Sequence, residues 1–257
     1  MNKNLIEEAI SKLANAMRIY SEAHLKYAHL FKIDPEEAIN NIDRLFEMKL
    51  EAFHTLYDVS KDVFKYFDYG DTALLILVRN AIHHRDHPLF YSLNWRLHLE
   101  SGGKNWLGAS FLLASHPTVH GGRLPMSHYI RLDDLDARID PSLASPYIAK
   151  RSNKPEKAIE QFRVINSQLN LAKIRNRASE DRYPNDQIYL NLMPIFVSAV
   201  CKVFKAMKAA EIGFKGFDAA TYLRPFTTEI SVDCSRLDFE RLWFRGYGDL
   251  DLIPIPI

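Results

Sequence analysis

The chain of 257 residues is 47% hydrophobic and 25% charged, and its formal net charge is +1. This composition is typical of a globular protein and excludes an intrinsically disordered chain. A net charge so close to zero also excludes a general attraction to nucleic acids or membranes, so an anion-binding surface must come from a local excess of positive charge.

Several features of the sequence indicate a cytoplasmic location. Two cysteines, Cys201 and Cys234, are too few for a disulfide framework and are typical of a reducing compartment. The N-terminal segment carries acidic residues where a signal peptide would be apolar. The longest apolar stretch, 188–203, is interrupted by polar residues, so it does not predict a membrane span. We therefore expect a cytoplasmic protein with no membrane partner.

The N-terminal third has the periodicity of amphipathic helices. Apolar residues recur at three- and four-residue steps over 5–31, which predicts a long helix. A second helix is predicted to begin with Asp34 as its N-cap, Pro35 at the first helical position and Glu37 closing a capping box. Gly70 is predicted to end this second helix.

The middle of the chain has a different composition. Glycine pairs predict turns within 99–152, which we interpret as a loop-rich insertion with short candidate strands at 106–114 and 127–132 that could form a small β hairpin. Helical periodicity resumes over 155–178 and again over 186–212, where Pro194 is predicted to introduce a kink.

The C-terminal tail, 214–257, is predicted to be mostly irregular. A short helix is predicted at 237–244, and the alternating prolines of 253–257 predict either an extended peptide docked on the body or a flexible end. The sequence as a whole predicts a single mainly α domain over 1–257, built as a bundle of four to five long helices.

The most informative motif lies near the end of an apolar helical run that begins at Thr72, in a helix predicted to be capped by Asp71. It is Arg-Asn-x-x-x-His, with Arg79, Asn80 and His84. An arginine beside an asparagine and histidine suits phosphate chemistry, because Arg clamps phosphate oxygens and His moves protons near neutral pH. A second Arg-to-His spacing, 123–128, lies in a Gly- and Pro-rich loop and is typical of a chance match.

These residues resemble the signature of the HEPN superfamily, which consists of all-helical domains, many of them RNases. Arg79 matches the family arginine, Asn80 its polar neighbour and His84 the catalytic histidine. The resemblance covers mainly residues 5–90, and one subgroup has a Tyr where this chain has Asp86. It implies a homodimer with facing motifs, a toxin or phage-defence role, and a neutralising antitoxin or regulatory partner protein.

The chemistry implied is metal-independent cleavage of RNA, either tRNA or mRNA, without a cofactor. His84 would act as base or acid, Arg79 as the charge clamp and Asn80 as an orienting group. On a regular helix Arg79 and His84 lie roughly 140° apart, whereas His83 shares a face with Arg79. His83 and His87 are therefore supporting or alternative histidines.

The densest basic stretch is a candidate RNA-binding surface, and the alternative is a solvated helix face. The residues that we expect to track phosphates are Lys150, Arg151, Lys154, Lys157, Arg175 and Arg177.

Three other interpretations of the motif remain open. Arg79 could be structural, paired with an acid on a helix face, and the bundle could bind a nucleotide or RNA without cutting it. A metal site could be built on His83, His84 and His87, with ligands added by other histidines, although the sequence favours no metal because it contains neither a His-Glu-x-x-His motif nor a cysteine pair. The histidines that could be added are His98, His116, His120 and His128.

Overall fold

The computed structural model describes residues 2–84, 88–143, 145–151, 155–244 and 254–256. The mainly helical class predicted from the sequence is confirmed. The helices are α1 (Lys3–Ile33), α2 (Pro35–Ser60), α3 (Gly70–His84), α4 (Leu93–His98), α5 (Leu132–Ile139), α6 (Pro146–Arg151), α7 (Pro155–Gln168), α8 (Leu171–Glu180), α9 (Leu192–Ala209) and α10 (Phe217–Arg224). The strands are β1 (Ser110–Ser115), β2 (Tyr129–Arg131), β3 (Ile188–Asn191), β4 (Asp238–Trp243) and β5 (Pro254–Pro256).

A tight connection joins α1 to α2. Asp34 is extended, its backbone N–H donates to the Leu30 carbonyl, and its carboxylate accepts from the Glu37 N–H at 2.9 Å. Pro35 takes the first helical position, as predicted. One residue therefore ends one helix and starts the next, which sets the two long helices against each other.

The second helix ends earlier than predicted. It stops at Ser60, and Gly70 begins α3 instead of ending α2. A side chain at Gly70 would lie 3.1 Å from the Val164 carbonyl oxygen of α7, so glycine permits the close contact of α3 with α7. Glycine is typical of a helix end, but here it marks a packing contact between helices, so the prediction was wrong.

Helices α3 and α9 form the centre of the molecule. Every residue of α3 from Asp71 to Val78 is buried, and so is every residue of α9 from Leu192 to Cys201. The apolar faces of α1 and α2 pack onto the same core. Helices that are apolar on all sides are expected at such central positions.

A five-stranded sheet has the order β2-β3-β1-β4-β5. Strand β1 runs parallel to β3, with Leu113 opposite Tyr189, and antiparallel to β4, with Leu113 opposite Glu240. The two candidate strands near 106–114 and 127–132 exist as β1 and β2, but they do not form a hairpin, because β3 lies between them. Residues 99–152 also contain α5 and α6, so this region is less loop-rich than predicted.

Three helix predictions were wrong in detail. The helix predicted over 186–212 begins as β3, and α9 starts only after Asn191, whose side chain caps it by accepting from the Met193 N–H at 3.1 Å. Pro194 therefore lies in the first turn of α9. The backbone N–H groups of a first turn have no acceptor within the helix, so a proline there removes no hydrogen bond and does not require the helix to kink. The helix predicted over 155–178 is divided between α7 and α8 at Asn170, which has a φ of 54°.

The tail is more regular than predicted. Residues 237–244, predicted as a short helix, contain β4, because they pair with β1. Helix α10 precedes it, and Pro254–Pro256 pair with β4 as β5, in agreement with the docked extended peptide. Among the described residues, none of the helices combines the length and apolar character needed to cross a bilayer.

The core holds a buried acid. The Asp71 carboxylate accepts from the Thr72 N–H at 2.8 Å and from the Ser198 hydroxyl at 2.6 Å, and it pairs with the Lys202 ammonium. Asp71 lies in the first turn of α3 and not at the predicted cap position, since α3 already begins at Gly70. Its contacts connect the N-terminal end of α3 to α9.

The core also holds a lysine without a carboxylate partner. Lys49 on α2 is 1% exposed, and its Nζ lies 3.1 Å from the Met193 sulfur and 3.6 Å from the centroid of the Tyr20 ring. Among the described residues, no carboxylate forms an ion pair with this amine. Burial lowers the pKa of Lys49 well below its ordinary value near 10.5.

Replacing Lys49 with methionine is expected to raise the free energy of unfolding by about 1–3 kcal/mol, because an unpaired polar group leaves the core. The pKa of Lys49 is lower in the folded chain than in the unfolded chain. The free energy of unfolding of the wild type therefore decreases as the pH falls below the pKa of Lys49 in the unfolded chain, near 10.5. The difference in stability between the variant and the wild type grows in the same direction. Thermal unfolding of both proteins between neutral and alkaline pH measures this difference. A variant that is less stable than the wild type at neutral pH would contradict the prediction.

Candidate phosphate-handling site

The C-terminal end of α3 presents the motif at the surface. The helix is buried up to Val78, and exposure begins at Arg79 and Asn80, which are half-buried, whereas His83 and His84 are exposed. The motif residues thus leave the core where the helix ends.

One carboxylate on α2 contacts two of these residues. Arg79 Nη2 donates to Glu51 Oε2 at 2.6 Å, and His83 Nδ1 lies 3.3 Å from Glu51 Oε1. Arg79 and His83 share a helix face because they are four residues apart. Glu51 therefore fixes both the guanidinium and the imidazole relative to each other. We refer to Glu51, Arg79, Asn80, His83 and His84 as the α3 cluster.

The remaining two motif residues lie beside this pair. Arg79 Nη1 donates to Asn80 Oδ1 at 3.3 Å. The His84 ring lies 5.5 Å from the His83 ring, centroid to centroid, at an angle of 74°. The geometry thus places the two imidazoles side by side, with His83 and not His84 on the arginine face. His87, the other alternative histidine, lies outside the described residues.

A third histidine borders the α3 cluster from α2. Burial lowers the pKa of His54, and the positive charge of Arg79 lowers it further, against the opposing effect of Asp58 at 3.2 Å. A neutral His54 adds no positive charge beside Arg79. The α3 cluster combines the ion pair of Arg79 and Glu51 with two exposed imidazoles, those of His83 and His84.

A pocket of about 190 Å³ adjoins the α3 cluster. Ile82 lines it from α3, and Glu47 lines it from α2, one turn before Glu51. The other lining side chains combine acids, amides and aromatic rings, and they are Asn40, Asp43, Arg44, Phe46, Leu89, Tyr91, Trp95 and His128.

Asp43, one of the acids in this pocket, has an unusual protonation equilibrium. Burial raises the pKa of Asp43 to about 7, although the Ser92 hydroxyl donates to its carboxylate at 2.8 Å and acts in the opposite direction. His128 stacks on Phe46 with the ring centroids 3.7 Å apart, and burial lowers its pKa to about 3, so its imidazole is neutral. Neither residue was singled out as catalytic from the sequence, since a lone Asp on an amphipathic helix carries no signal.

The predicted RNA-binding residues are largely occupied by other contacts where they are described. Arg175 pairs with Asp136, and its Nη1 donates to Asn166 at 2.8 Å. Arg177 Nε donates to Asp181 at 2.6 Å. Lys157 Nζ lies 5.4 Å from the centroid of the Phe67 ring. Lys154 lies outside the described residues, as do the side chains of Lys150 and Arg151.

The histidines considered as metal ligands lie in separate environments. His116 Nδ1 is 2.7 Å from the Arg236 carbonyl oxygen, and the His98 ring packs edge-on against Phe31. Within the described ranges, no group of three or more His, Cys, Asp and Glu side chains is placed to hold a metal ion.

Comparisons of the chain with protein-family models, with curated proteins and with solved structures find no match.

Proposed function

We propose that the chain is a metal-independent endoribonuclease of the HEPN type, with a role as a toxin or phage-defence effector, and that the α3 cluster is its active site. The observation that carries the proposal is the contact of one carboxylate, Glu51, with both Arg79 and His83. Such an arrangement supplies a fixed cation and an oriented imidazole at one exposed point.

The roles follow from the contacts. In the tautomer whose Nδ1 proton faces Glu51 Oε1, 3.3 Å away, the His83 ring has a lone pair on Nε2, which takes the proton from a ribose 2′-hydroxyl. The resulting oxyanion attacks the phosphorus, and the bond from phosphorus to the 5′-oxygen breaks. Arg79 stabilises the negative charge that develops on the phosphoryl oxygens, and Asn80 orients the guanidinium. The products are a 2′,3′-cyclic phosphate and a 5′-hydroxyl.

A dimer completes this scheme. In-line displacement needs the base and the acid on opposite sides of the phosphorus, whereas His83 and His84 lie side by side in one copy. Two copies with facing motifs, as the family resemblance implies, place His84 of one copy opposite His83 of the other. His84 then protonates the leaving 5′-oxygen.

The adjoining pocket supports an RNA substrate. It offers aromatic rings for stacking, with Tyr91 and Trp95 already stacked 3.9 Å apart, and polar groups for a base edge at Asn40 and Asp43. A nucleotide bound there would lie next to the α3 cluster. The substrate is tRNA or mRNA.

The test is cleavage of tRNA and mRNA by the purified chain in EDTA, followed by analysis of the product ends. We expect the wild type to give 2′,3′-cyclic phosphate ends and a variant with both His83→Ala and His84→Ala to give none. His29→Ala, which removes an exposed histidine of α1, is the matched control and should cleave normally. Equal cleavage by the wild type and the double variant would contradict the proposal.

A second candidate is a non-catalytic bundle that binds RNA or a nucleotide. The ion pair of Arg79 with Glu51 favours it, because this contact also suits an arginine that only stabilises the helix pair. In that case the wild type binds RNA without cutting it, and Arg79→Ala weakens binding while the histidine variants leave it unchanged.

A further inference from the structure

A second candidate site lies around Lys49, on the opposite side of α2 from Glu51's contacts with α3. The Lys49 amine lies against a thioether and three aromatic rings: its Nζ is 3.1 Å from Met193 Sδ and 3.6, 4.4 and 5.0 Å from the centroids of Tyr20, Phe196 and Phe46. No oxygen atom among the described residues accepts a hydrogen bond from it. Burial lowers the pKa of Lys49 well below its ordinary value, which favours the neutral, nucleophilic amine over the ammonium.

This amine borders a cavity. The cavity measures about 250 Å³, and Lys49, Tyr20, Met193 and Phe196 form one part of its wall. The rest of the lining is almost entirely apolar and includes Met17, Leu124, Met126, Val197, Phe226 and Ile230. Pro125 is exposed and Met126 is half-buried, so the loop that carries them forms the outer wall of the cavity.

A proton donor stands beside the amine. The Tyr20 hydroxyl is buried and has no hydrogen-bond partner among the described residues. Burial raises the pKa of Tyr20, so the phenol retains its proton. An unpaired buried hydroxyl is costly, and a ligand oxygen bound in the cavity would satisfy it.

We propose that Lys49 binds a small apolar aldehyde or ketone in this cavity by forming an imine. The Nζ lone pair attacks the carbonyl carbon, and the carbonyl oxygen becomes the hydroxyl of a carbinolamine, which accepts a hydrogen bond from Tyr20. Loss of that hydroxyl with a proton from the nitrogen releases water and leaves the C=N bond. The reaction consumes one amine and one carbonyl, and it needs no oxidant or reductant.

The apolar lining decides the ligand class. A carboxylate would require the charged ammonium and would bring a second charge into a cavity with few polar groups. A carbonyl compound brings no charge, and its hydrocarbon part gains from burial against Val197, Phe226 and Ile230. The cavity is smaller than the pockets that bind drug-sized ligands, so it favours a carbonyl compound with a short hydrocarbon chain or a single ring.

The test is trapping of the imine. The full-length chain is incubated at neutral pH with hexanal and sodium cyanoborohydride, which reduces an imine to a stable secondary amine, and the modified lysines are identified by peptide mass mapping. We expect saturable modification of Lys49 at a rate at least about tenfold above that of an exposed lysine such as Lys205. Modification confined to exposed lysines, with Lys49 unreacted, would overturn the proposal.

Two variants separate the site from general reactivity. Lys49→Met should abolish the saturable component. Met126→Trp keeps Lys49 and fills the cavity from the loop, so it should lower trapping at Lys49 at least about tenfold while the thermal unfolding temperature stays close to that of the wild type. Unchanged trapping in the folded Met126→Trp protein would overturn the role of the cavity. RNA cleavage does not enter these measurements, so they are independent of the proposed nuclease activity.

Discussion

Replacing His83 with alanine is expected to lower the rate of RNA cleavage by about 10²–10⁴-fold, which is the usual contribution of a general base. The reason is geometric: His83 is the histidine that shares a carboxylate with Arg79, so its loss removes the imidazole that we propose as the base beside the Arg79 cation. The measurement is the single-turnover cleavage rate of a defined RNA in EDTA. His84→Ala should cause a loss of the same order, because the acid and the base act in one step.

Glu51→Gln distinguishes an oriented base from a histidine that is merely nearby. The amide keeps the size of the side chain but removes the charge that holds Arg79 and His83, so we expect a loss of about 10–100-fold, smaller than that of His83→Ala. Glu36→Gln, an exposed position at the start of the same helix, is the control and should cleave at the wild-type rate. Wild-type activity in Glu51→Gln would show that the shared carboxylate has no part in catalysis.

Replacing Asp71 with alanine is expected to lower the free energy of unfolding by about 3–5 kcal/mol, the usual effect of breaking a buried ion pair. Asp71 is 1% exposed, and its carboxylate joins the first turn of α3 to Ser198 and Lys202 of α9. Without it, the Ser198 hydroxyl loses its acceptor inside the core. Chemical denaturation of the two proteins at neutral pH measures the difference.

The partner substitution should have a smaller effect. The Lys202 side chain is 36% exposed, so water can take over part of its role when Lys202 is replaced with methionine. The double variant should lose less unfolding free energy than the two single variants lose together, because both substitutions remove the same interaction. Asp62→Ala, in an exposed turn, is the matched control. A loss at Asp71 no greater than that at Asp62 would contradict this account.

Local signals in the sequence predicted the first helix and the start of the second. The Asp34-Pro35 pair marks a helix start through side-chain capping and a fixed φ, and both effects act within a few residues of the chain. Strand β4 could not be predicted in the same way, because its conformation depends on pairing with β1. Strand β3 runs directly into α9, so its four residues merge with the apolar pattern of the helix.

The candidate site was predictable in part for the same reason. The spacing of Arg79 and His83 predicts a shared helix face, and the structure agrees in bringing these two residues to one carboxylate. The identity of that carboxylate was not predictable, because Glu51 lies on a different helix and is one of many acids on polar helix faces. The pocket around Asp43 combines side chains from three separated segments, and no short spacing encodes it.

The strand order has a consequence for synthesis of the chain on the ribosome. Strand β1 gains its parallel neighbour only when 188–191 have emerged, and its other edge stays open until 238–243 follow. An open strand edge beside apolar residues such as Phe111 and Leu113 is a template for pairing with other chains. The nascent chain must therefore shield β1 from aggregation until residues 238–243 have been made and can pair with it.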